Sequence, residues 1–279
     1  MFATALVTGA TGLLGRRVVH HLKQHARSVR IGARDLSRVA GFPRMGFDVA
    51  FYDHDLPASW EGALAQVDRL LLMPPPVDPF VDQRLIPLVE RAVQLGVRRV
   101  VLVSHIDAPH EPALTALEHA VVRHSPEWSI LRPTWLVDTV LPGGFLHPGV
   151  VSGQLVAPTG EGRLPWVVAD DVAQAATHLL THPSCTARVV QATGAQGLSF
   201  RALSATLAQL RGAPVAHVDI DPEVFGARLL GPRWPVPRVQ LLLQRLERIR
   251  LGEAEVVSNG LTQLLGREPT SVFDRLRLG

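Results

Sequence analysis

Three glycines near the start of the chain, Gly9, Gly12 and Gly15, follow a short apolar run and precede an amphipathic stretch. This strand–loop–helix context is the one in which a glycine-rich loop binds a dinucleotide. The spacing is G-x-x-G-x-x-G rather than the usual G-x-G-x-x-G, but the physical needs are the same. Gly9 permits a tight turn, Gly12 lets the backbone approach a pyrophosphate, and Gly15 lets the helix pack closely. The alternative is an ordinary turn between a strand and a helix.

Two arginines after the second β-like run could select the dinucleotide. Arg34 and Arg38 follow that run, one helical turn apart. At this point an acidic residue typically holds the ribose of NAD, whereas an arginine accepts the 2′-phosphate of NADP. Asp35 favours NAD. The alternative for Arg34 is an ordinary loop residue exposed to solvent. We expect NADP(H) to be favoured over NAD(H).

The elements that must position these residues alternate along the first half of the chain. The predicted strands cover residues 3–8, 28–33, 47–52, 69–73, 97–104, 128–131, 188–193 and 214–220. The predicted helices cover residues 13–25, 80–95, 111–124, 170–180 and 199–212, with Asp170 or Asp171 and Ser199 as caps. Apolar strands separated by helices predict an α/β fold, a doubly wound parallel sheet of the Rossmann type.

The regular alternation of strands and helices ends after Pro133, where the chain becomes rich in proline and glycine. We therefore predict a nucleotide-binding core over residues 1–133. Residues 134–279 form a smaller, partly interleaved α/β lobe, with some segments returning to the core. The length of 279 residues is compatible with one large or two small domains.

Composition excludes several classes of protein. Hydrophobic residues are 47% and charged residues 19% of the chain, which is enough to bury a core. Cys185 is the only cysteine, so an intramolecular disulfide and a cluster of cysteines around a metal are excluded. His21 and His25 have helical i, i+4 spacing, but no third ligand is evident, and no metal site is predicted.

The expected partners and location of the protein follow from the same composition. The chain has no apolar run of the roughly 18–20 residues that span a bilayer, so no membrane partner is expected. With a net charge of +3 and scattered arginines, no nucleic-acid partner is expected either. A cytoplasmic location is expected from the cysteine usage. The oligomeric state stays open.

Several segments together resemble the NmrA-like atypical short-chain dehydrogenase/reductases. Those segments are residues 8–15, Arg34, residues 97–104, 131–135, 165–173 and 266–269. The chain is most similar to the branch that contains festuclavine dehydrogenase, an ergot-alkaloid enzyme, and its bacterial relatives. The resemblance covers nearly the whole chain, and its motifs do not identify a substrate.

The resemblance implies that NADP(H) lies across the carboxyl ends of the strands. The implied contacts are Gly9, Thr11, Gly12, Leu13 and Leu14 at the pyrophosphate, Arg34 at the 2′-phosphate, Asp53 near the adenine, Met73 and Pro74 at the ribose, and Ser104, Pro133 and Thr134 at the nicotinamide. General geometry favours the same positions, because ligands of open α/β sheets bind beyond the carboxyl ends of the strands.

Many short-chain reductases use a Tyr-x-x-x-Lys pair to protonate the substrate oxygen, and this chain cannot form it. Tyr52 is its only tyrosine and Lys23 its only lysine. A ketone needs that acid, because hydride addition leaves an alkoxide. Hydride addition turns an iminium ion into a neutral amine and a quinone into a delocalised oxyanion. These acceptors therefore depend less on a proton donor. The missing pair also disfavours a sugar epimerase or dehydratase.

The remaining candidates for chemistry are few. Ser104 and His105 follow the fifth strand, and His105 could donate a proton or orient substrate. The alternative for His105 is a loop histidine that faces water. Trp135 and Phe145 could form an apolar surface for the substrate, with ordinary packing as the alternative. Glu118 and His119 are expected on a solvated helix face, with a catalytic dyad as the alternative.

The sequence therefore predicts an NAD(P)H-dependent oxidoreductase that transfers hydride to a small apolar electrophile, such as an iminium, a quinone or an enone. Its partner is then a small-molecule substrate. The alternative is a non-catalytic regulator that senses NADP(H) and acts through a protein partner. An enclosed pocket beside the nicotinamide would favour the enzyme, and an exposed interaction face would favour the regulator.

Overall fold

The computed structural model describes residues 4–24 and 28–278. Residue 3 of the first predicted strand and His25 of the first predicted helix lie outside the described residues. The chain forms two compact units. The first unit takes the described residues up to Pro76, Phe80–Pro133 and Val172–Gln191, and the second takes Val77–Pro79, Thr134–Asp171 and the chain from Ala192 onward.

The strands and helices are bounded as follows. The strands are β1 Thr4–Val7, β2 Ser28–Ala33, β3 Asp48–Phe51, β4 Arg69–Leu72, β5 Arg99–Val103, β6 Glu127–Pro133, β7 Gln154–Val156, β8 Arg163–Leu164, β9 Arg188–Ala192, β10 Leu198–Ser199 and β11 Ala216–Val218. The helices are α1 Leu13–Gln24, α2 Trp60–Leu64, α3 Val81–Gln94, α4 Pro112–His124, α5 His147–Ser152, α6 Ala169–Thr181, α7 Phe200–Arg211, α8 Pro222–Leu229, α9 Val236–Arg250, α10 Gly260–Leu265 and α11 Val272–Arg277.

The main sheet has seven strands in the order β3-β2-β1-β4-β5-β6-β9. Its strands run parallel, and Val7 of β1 lies between Ile31 of β2 and Leu71 of β4. The order reverses at β1, which is the point where the crevice of a Rossmann sheet opens beyond the carboxyl ends of the strands. The predicted doubly wound parallel sheet is confirmed.

Helices of the first unit pack their apolar faces on the sheet. In α1 the buried side chains are Val18, Val19 and Leu22, a spacing that places them on one face. The core between α3, α4 and the strands buries aliphatic side chains such as Leu70, Leu85, Val100 and Leu117. These continuous apolar strands are typical of a sheet covered on both faces.

The end of α6 is attached to the amino-terminal edge of the sheet. Arg69 and Arg99, the first residues of β4 and β5, donate to the carbonyl oxygens of Leu180 and His182 at 2.6 and 2.7 Å. The guanidinium of Arg99 is buried and also binds Glu127 at 2.7 Å. Residues 172–191 are therefore tied to the first unit by long-range hydrogen bonds.

The second unit is built around aromatic side chains and two small sheets. β10 pairs antiparallel with β8, and β11 pairs parallel with β7. Trp166 and Phe200 are fully buried in its core. Ser199 caps α7, as predicted, since its hydroxyl accepts from the Ala202 N–H at 3.2 Å.

Asp170 and Asp171 do not have the predicted role of helix caps. α6 begins at Ala169, so both lie within its first turn. The buried carboxylate of Asp171 instead accepts from Arg267 at 2.6 Å and from the Thr270 N–H at 2.6 Å. It therefore fixes the C-terminal segment of the second unit.

A second buried carboxylate of this unit is Asp138. It accepts from the Ala169 N–H at 2.7 Å and from Arg275 at 2.7 Å. Asp138 thus provides the acceptor at the start of α6 and holds α11 at the same time.

Candidate functional site

The glycine loop between β1 and α1 turns as its sequence predicts. Gly9 has a positive φ of 63°, and the Gly12 N–H donates to the Gly9 carbonyl at 3.0 Å. A Cβ on Gly15 would lie 2.2 Å from that carbonyl oxygen, so a side chain cannot fit where α1 crosses the loop. Gly12 is exposed, and the loop therefore presents backbone at the carboxyl end of β1.

The donors at this loop fit a dinucleotide phosphate. α1 begins at Leu13, and the first N–H groups of a helix have no carbonyl partner within it. These N–H groups, together with the helix dipole, favour an anion. Thr11, Leu13 and Leu14 are half-buried around the loop, and Gly15 is buried beneath it.

Thr8 is a residue of the candidate site that the sequence analysis did not single out. Its buried hydroxyl donates to the Leu71 carbonyl at 3.2 Å and accepts from the Met73 N–H at 2.8 Å. Thr8 thereby joins the carboxyl ends of β1 and β4. Met73 is held so close to the loop that its Cβ lies 3.4 Å from the position of a Cβ on Gly9. The half-buried Pro74 follows directly.

Charged side chains gather after β2. Arg34 and Arg38 are both exposed beyond the end of the strand. Asp35 is engaged locally, because its carboxylate accepts from the Ser37 hydroxyl at 2.5 Å and from the Ser37 N–H at 3.0 Å. These hydrogen bonds lower the pKa of Asp35. Asp35 therefore caps the turn that carries Arg38.

Asp53 lies two residues after β3 in a loop that is fixed by side chains. The Asp53 carbonyl accepts from the Trp60 indole at 2.9 Å, and its N–H donates to Ser59 at 3.0 Å. Its carboxylate accepts from the Asp55 N–H at 3.1 Å. The half-buried Asp53 is thus held in place beyond the carboxyl end of β3.

The single tyrosine is not placed as a catalytic acid. Tyr52 is buried, and its hydroxyl hydrogen-bonds with His54 Nδ1 at 2.8 Å. Burial raises the pKa of the Tyr52 phenol, and the charges of Asp53 and Asp55 raise it further. The usual pair does the opposite, since its lysine lowers the pKa of the tyrosine.

Ser104 directly follows β5 and contacts a buried ion pair. Its hydroxyl donates to Glu118 Oε1 at 2.5 Å, and Arg132 binds both oxygens of the same carboxylate at 2.9 and 2.5 Å. Glu118 is 3% exposed. The predicted solvated position of Glu118 is therefore wrong, because its helix turns this side chain toward the strand ends.

His105 has a partner on one ring nitrogen. Its Nδ1 faces Asp107, with the backbone N–H at 3.2 Å and the carboxylate at 3.4 Å. The turn is held to β6, since the Ile106 N–H donates to the Pro133 carbonyl at 2.9 Å. Ser104, His105 and Pro133 thus meet at the carboxyl ends of β5 and β6.

The predicted substrate residues belong to the second unit. The Trp135 ring lies 6.5 Å from Phe145 and 6.2 Å from Trp166, measured between centroids. Phe145 is 66% exposed, so packing alone does not account for its ring. Thr134, just before Trp135, is buried and donates its N–H to the Ala192 carbonyl at 3.1 Å.

Within the described residues, every helix is too short or too polar to cross a bilayer.

Residues 9–183 match the NAD(P)H-binding family. Over 270 residues the chain is 27% identical to the Prestalk A differentiation protein A of Dictyostelium discoideum, covering 95% of this chain and 89% of that protein. It is 28% identical to the NAD(P)H azoreductase of Xenophilus azovorans, with 82% of each chain covered. It is 24% identical to festuclavine synthase II of Penicillium roqueforti, with 95% and 94% covered.

Solved structures show the same fold. The triphenylmethane reductase of Citrobacter sp. superposes with a TM-score of 0.84 at 24% identity, covering 99% of both chains. An NADPH-dependent quinone oxidoreductase from Escherichia coli superposes with a TM-score of 0.83 at 20% identity, covering 98% of both chains. The chain belongs to the NAD(P)H-binding family.

Proposed function

We propose that this oxidoreductase transfers hydride from NADPH to a small, apolar electrophile such as an iminium, a quinone or an enone. The observation that carries the proposal is the hydrogen bond from Ser104 to Glu118 at 2.5 Å. This hydroxyl, directly after β5, donates its proton to a carboxylate instead of to a substrate oxygen. With one tyrosine and one lysine in the whole chain, the usual acid is missing as well.

The residues of the chain supply positioning. When bound, NADPH supplies the hydride. The glycine loop and the start of α1 would hold the pyrophosphate, with Met73 and Pro74 beside the ribose. Ser104 and Pro133 would border the nicotinamide, and Asp53 would lie near the adenine. Trp135 and Phe145 offer apolar surface to the substrate.

His105 is the remaining group that could move a proton. Its Nδ1 faces Asp107, with the N–H at 3.2 Å and the carboxylate at 3.4 Å, so a hydrogen on Nε2 is the one that can meet a substrate. That hydrogen can orient a carbonyl of the substrate or protonate a delocalised oxyanion. An iminium requires neither, so His105 contributes least for that substrate.

Two positive charges support NADPH over NADH. Arg34 and Arg38 are exposed after β2, where the 2′-phosphate of NADP lies in this fold. Asp35 would be the competing contact for the ribose of NAD. Its carboxylate is already bound by Ser37 at 2.5 and 3.0 Å, which favours the arginines as the selecting groups.

The names of the relatives agree with this substrate class. An azoreductase, a triphenylmethane reductase and a quinone oxidoreductase are each named for a conjugated acceptor. Conjugation spreads the negative charge that hydride addition brings to a neutral acceptor. In a cationic acceptor, the hydride itself cancels the positive charge. Such acceptors need no strong acid from the protein.

A substrate panel with the purified protein tests the proposal. NADPH oxidation is followed with a quinone, a cyclic iminium and a saturated ketone of similar size. We expect turnover with the quinone or the iminium and almost none with the ketone. Turnover that is fastest with the ketone would show a proton donor that the proposal denies. NADPH binding without turnover of any acceptor would favour the non-catalytic regulator.

A further inference from the structure

Three side chains that commonly bind transition metals meet at the end of α6. His178 and His182 lie one helical turn apart, and Cys185 follows in the next turn. One ligand atom from each lies within 4.8 Å of the other two. The two imidazole rings are nearly parallel, with an angle of 11° and centroids 4.8 Å apart.

The backbone that carries two of these side chains is fixed by the sheet. Arg99 donates to the His182 carbonyl at 2.7 Å, and Ser129 donates to the Cys185 carbonyl at 2.7 Å. The Cys185 N–H donates to the His182 carbonyl at 3.2 Å. The guanidinium charge of Arg99 is offset by Glu127 at 2.7 Å, so it does not stand as an isolated cation beside the cluster.

The hydrogen bond of the His182 side chain also suits metal binding. Its Nδ1 lies 3.0 Å from the Ser184 hydroxyl, so Nε2 is the nitrogen available to a metal. Ligating histidines usually use the other ring nitrogen for such a bond, which fixes the ring and its tautomer. Cys185 is buried and His182 is exposed, so solvent reaches one side of the cluster.

We propose that His178, His182 and Cys185 bind a zinc ion, with water as the fourth ligand. Two imidazoles and one thiolate form a donor set that suits zinc and disfavours magnesium and calcium, which prefer oxygen ligands. The single cysteine of the chain rules out a cluster of cysteines, but it is compatible with this mixed site.

The position of the site indicates its role. The end of α6 is bonded to Arg69 and Arg99, the first residues of β4 and β5, at the amino-terminal edge of the sheet. The cofactor residues lie at the opposite, carboxyl-terminal edge. A zinc ion here joins α6 to the turn before β9 and stabilises the first unit without taking part in hydride transfer.

Cobalt substitution gives a direct test, because the chain has only one cysteine. The purified, metal-free protein is titrated with Co²⁺, and a thiolate-to-cobalt charge-transfer band can arise only from Cys185. We expect that band, tetrahedral d–d bands in the visible region, and displacement of both by one equivalent of Zn²⁺. A parent protein without the charge-transfer band overturns the proposal.

Two variants assign the ligands. Cys185→Ser should lose the charge-transfer band, and His182→Gln should weaken Co²⁺ and Zn²⁺ binding by at least about 100-fold, the upper figure for loss of an outer partner of a ligand. His182 is exposed, so this variant keeps the test valid if the buried cysteine variant fails to fold. His119→Gln, on the exposed face of α4, is the matched control and should bind like the parent. Unchanged Zn²⁺ affinity in folded His182→Gln overturns the proposal.

A stability measurement gives a second readout. Zn²⁺ should raise the thermal unfolding midpoint of the parent, because a ligand that binds only the folded state stabilises it. The His182→Gln variant should show a smaller rise, and Mg²⁺ should change neither protein. An equal rise in parent and variant would place the zinc elsewhere and overturn the assignment.

Discussion

The glycine loop of the first unit and the buried carboxylates of the second unit are held by different means. In the first unit, the loop after β1 is shaped by nearby backbone, such as the bond from Gly12 to Gly9 at 3.0 Å. In the second unit, buried carboxylates bind groups far away in the sequence. Asp171 accepts from Thr270 and Asp138 from Arg275, over separations of 99 and 137 residues.

This contrast separates two kinds of information in a sequence. A loop built from local backbone bonds is encoded by glycines at fixed spacing. A unit fastened by distant charge pairs is encoded by residues whose partners have no fixed spacing. The glycine loop should therefore lose function through single backbone changes, and the second unit should lose stability through single charge changes.

The largest effect is expected from Gly12→Val in the glycine loop. A Cβ at Gly12 already lies 3.2 Å from the Gly9 carbonyl, and a branched side chain would occupy the space where pyrophosphate approaches the backbone. We expect NADPH binding to fall below detection in a fluorescence titration, with the unfolding midpoint near that of the parent. Gly41→Val is the control, since no atom lies within 4 Å of a Cβ there. Parent-like affinity in Gly12→Val would remove the loop from the binding site.

Arg275→Ala tests the buried charges of the second unit. It leaves the Asp138 carboxylate, 1% exposed, without its guanidinium partner. Loss of one partner from a buried pair costs about 3–5 kcal/mol, and urea denaturation followed by tryptophan fluorescence would show that loss. Arg277→Ala, in the same helix but paired at the exposed surface with Asp274 at 3.8 Å, should change stability by less than about 0.5 kcal/mol. Equal stability of the two variants would contradict the assignment of Asp138 as an anchor.

Arg34→Ala separates cofactor choice from cofactor binding. A charge-assisted contact to phosphate is worth about 1.5–3 kcal/mol, so NADPH should bind roughly 10- to 150-fold more weakly. NADH should be almost unaffected, because it has no 2′-phosphate. Calorimetric titration of both nucleotides measures the difference, and Arg34→Ala with Arg38→Ala should lose more than either alone. Equal affinity of the parent for NADH and NADPH would make Arg34 an ordinary loop residue.

The smallest effect is expected from Ser104→Ala. Its hydroxyl already donates to Glu118, so we expect turnover of a quinone or an iminium to fall less than about 100-fold, the lower limit for loss of a general acid. Steady-state kinetics with saturating NADPH measures this. His105→Ala provides the comparison, and its loss should also stay modest. A fall near 10⁴-fold at either position would identify an essential proton donor.

The core of the fold could be predicted because its signals are periodic. Arg69–Leu72 and Arg99–Val103 form strands inside the predicted ranges, and α1 begins at Leu13 as expected. Continuous apolar runs and a helical face at Val18, Val19 and Leu22 specify these elements without any tertiary information.

The residues that sequence reasoning missed depend on tertiary contacts. Glu118 was expected in solvent, yet it accepts from Ser104, which lies 14 residues away just after β5. Thr8 looks like part of the glycine motif, yet its hydroxyl joins two strands across a separation of 65 residues. Periodicity places a side chain on a face of a helix, but the partner that the face meets follows only from the folded chain.

The return of residues 172–191 to the first unit has a consequence for synthesis. A nascent chain that has emerged only as far as Pro133 has β6 as an open strand edge, because β9 has not yet been made. The Arg99 guanidinium then also lacks the carbonyl of His182. An unpaired edge can pair with other chains, so this interval is the period of greatest exposure to aggregation during translation. A fragment that stops at Pro133 should therefore need a chaperone. In the full chain, β9 covers that edge once it has emerged from the ribosome.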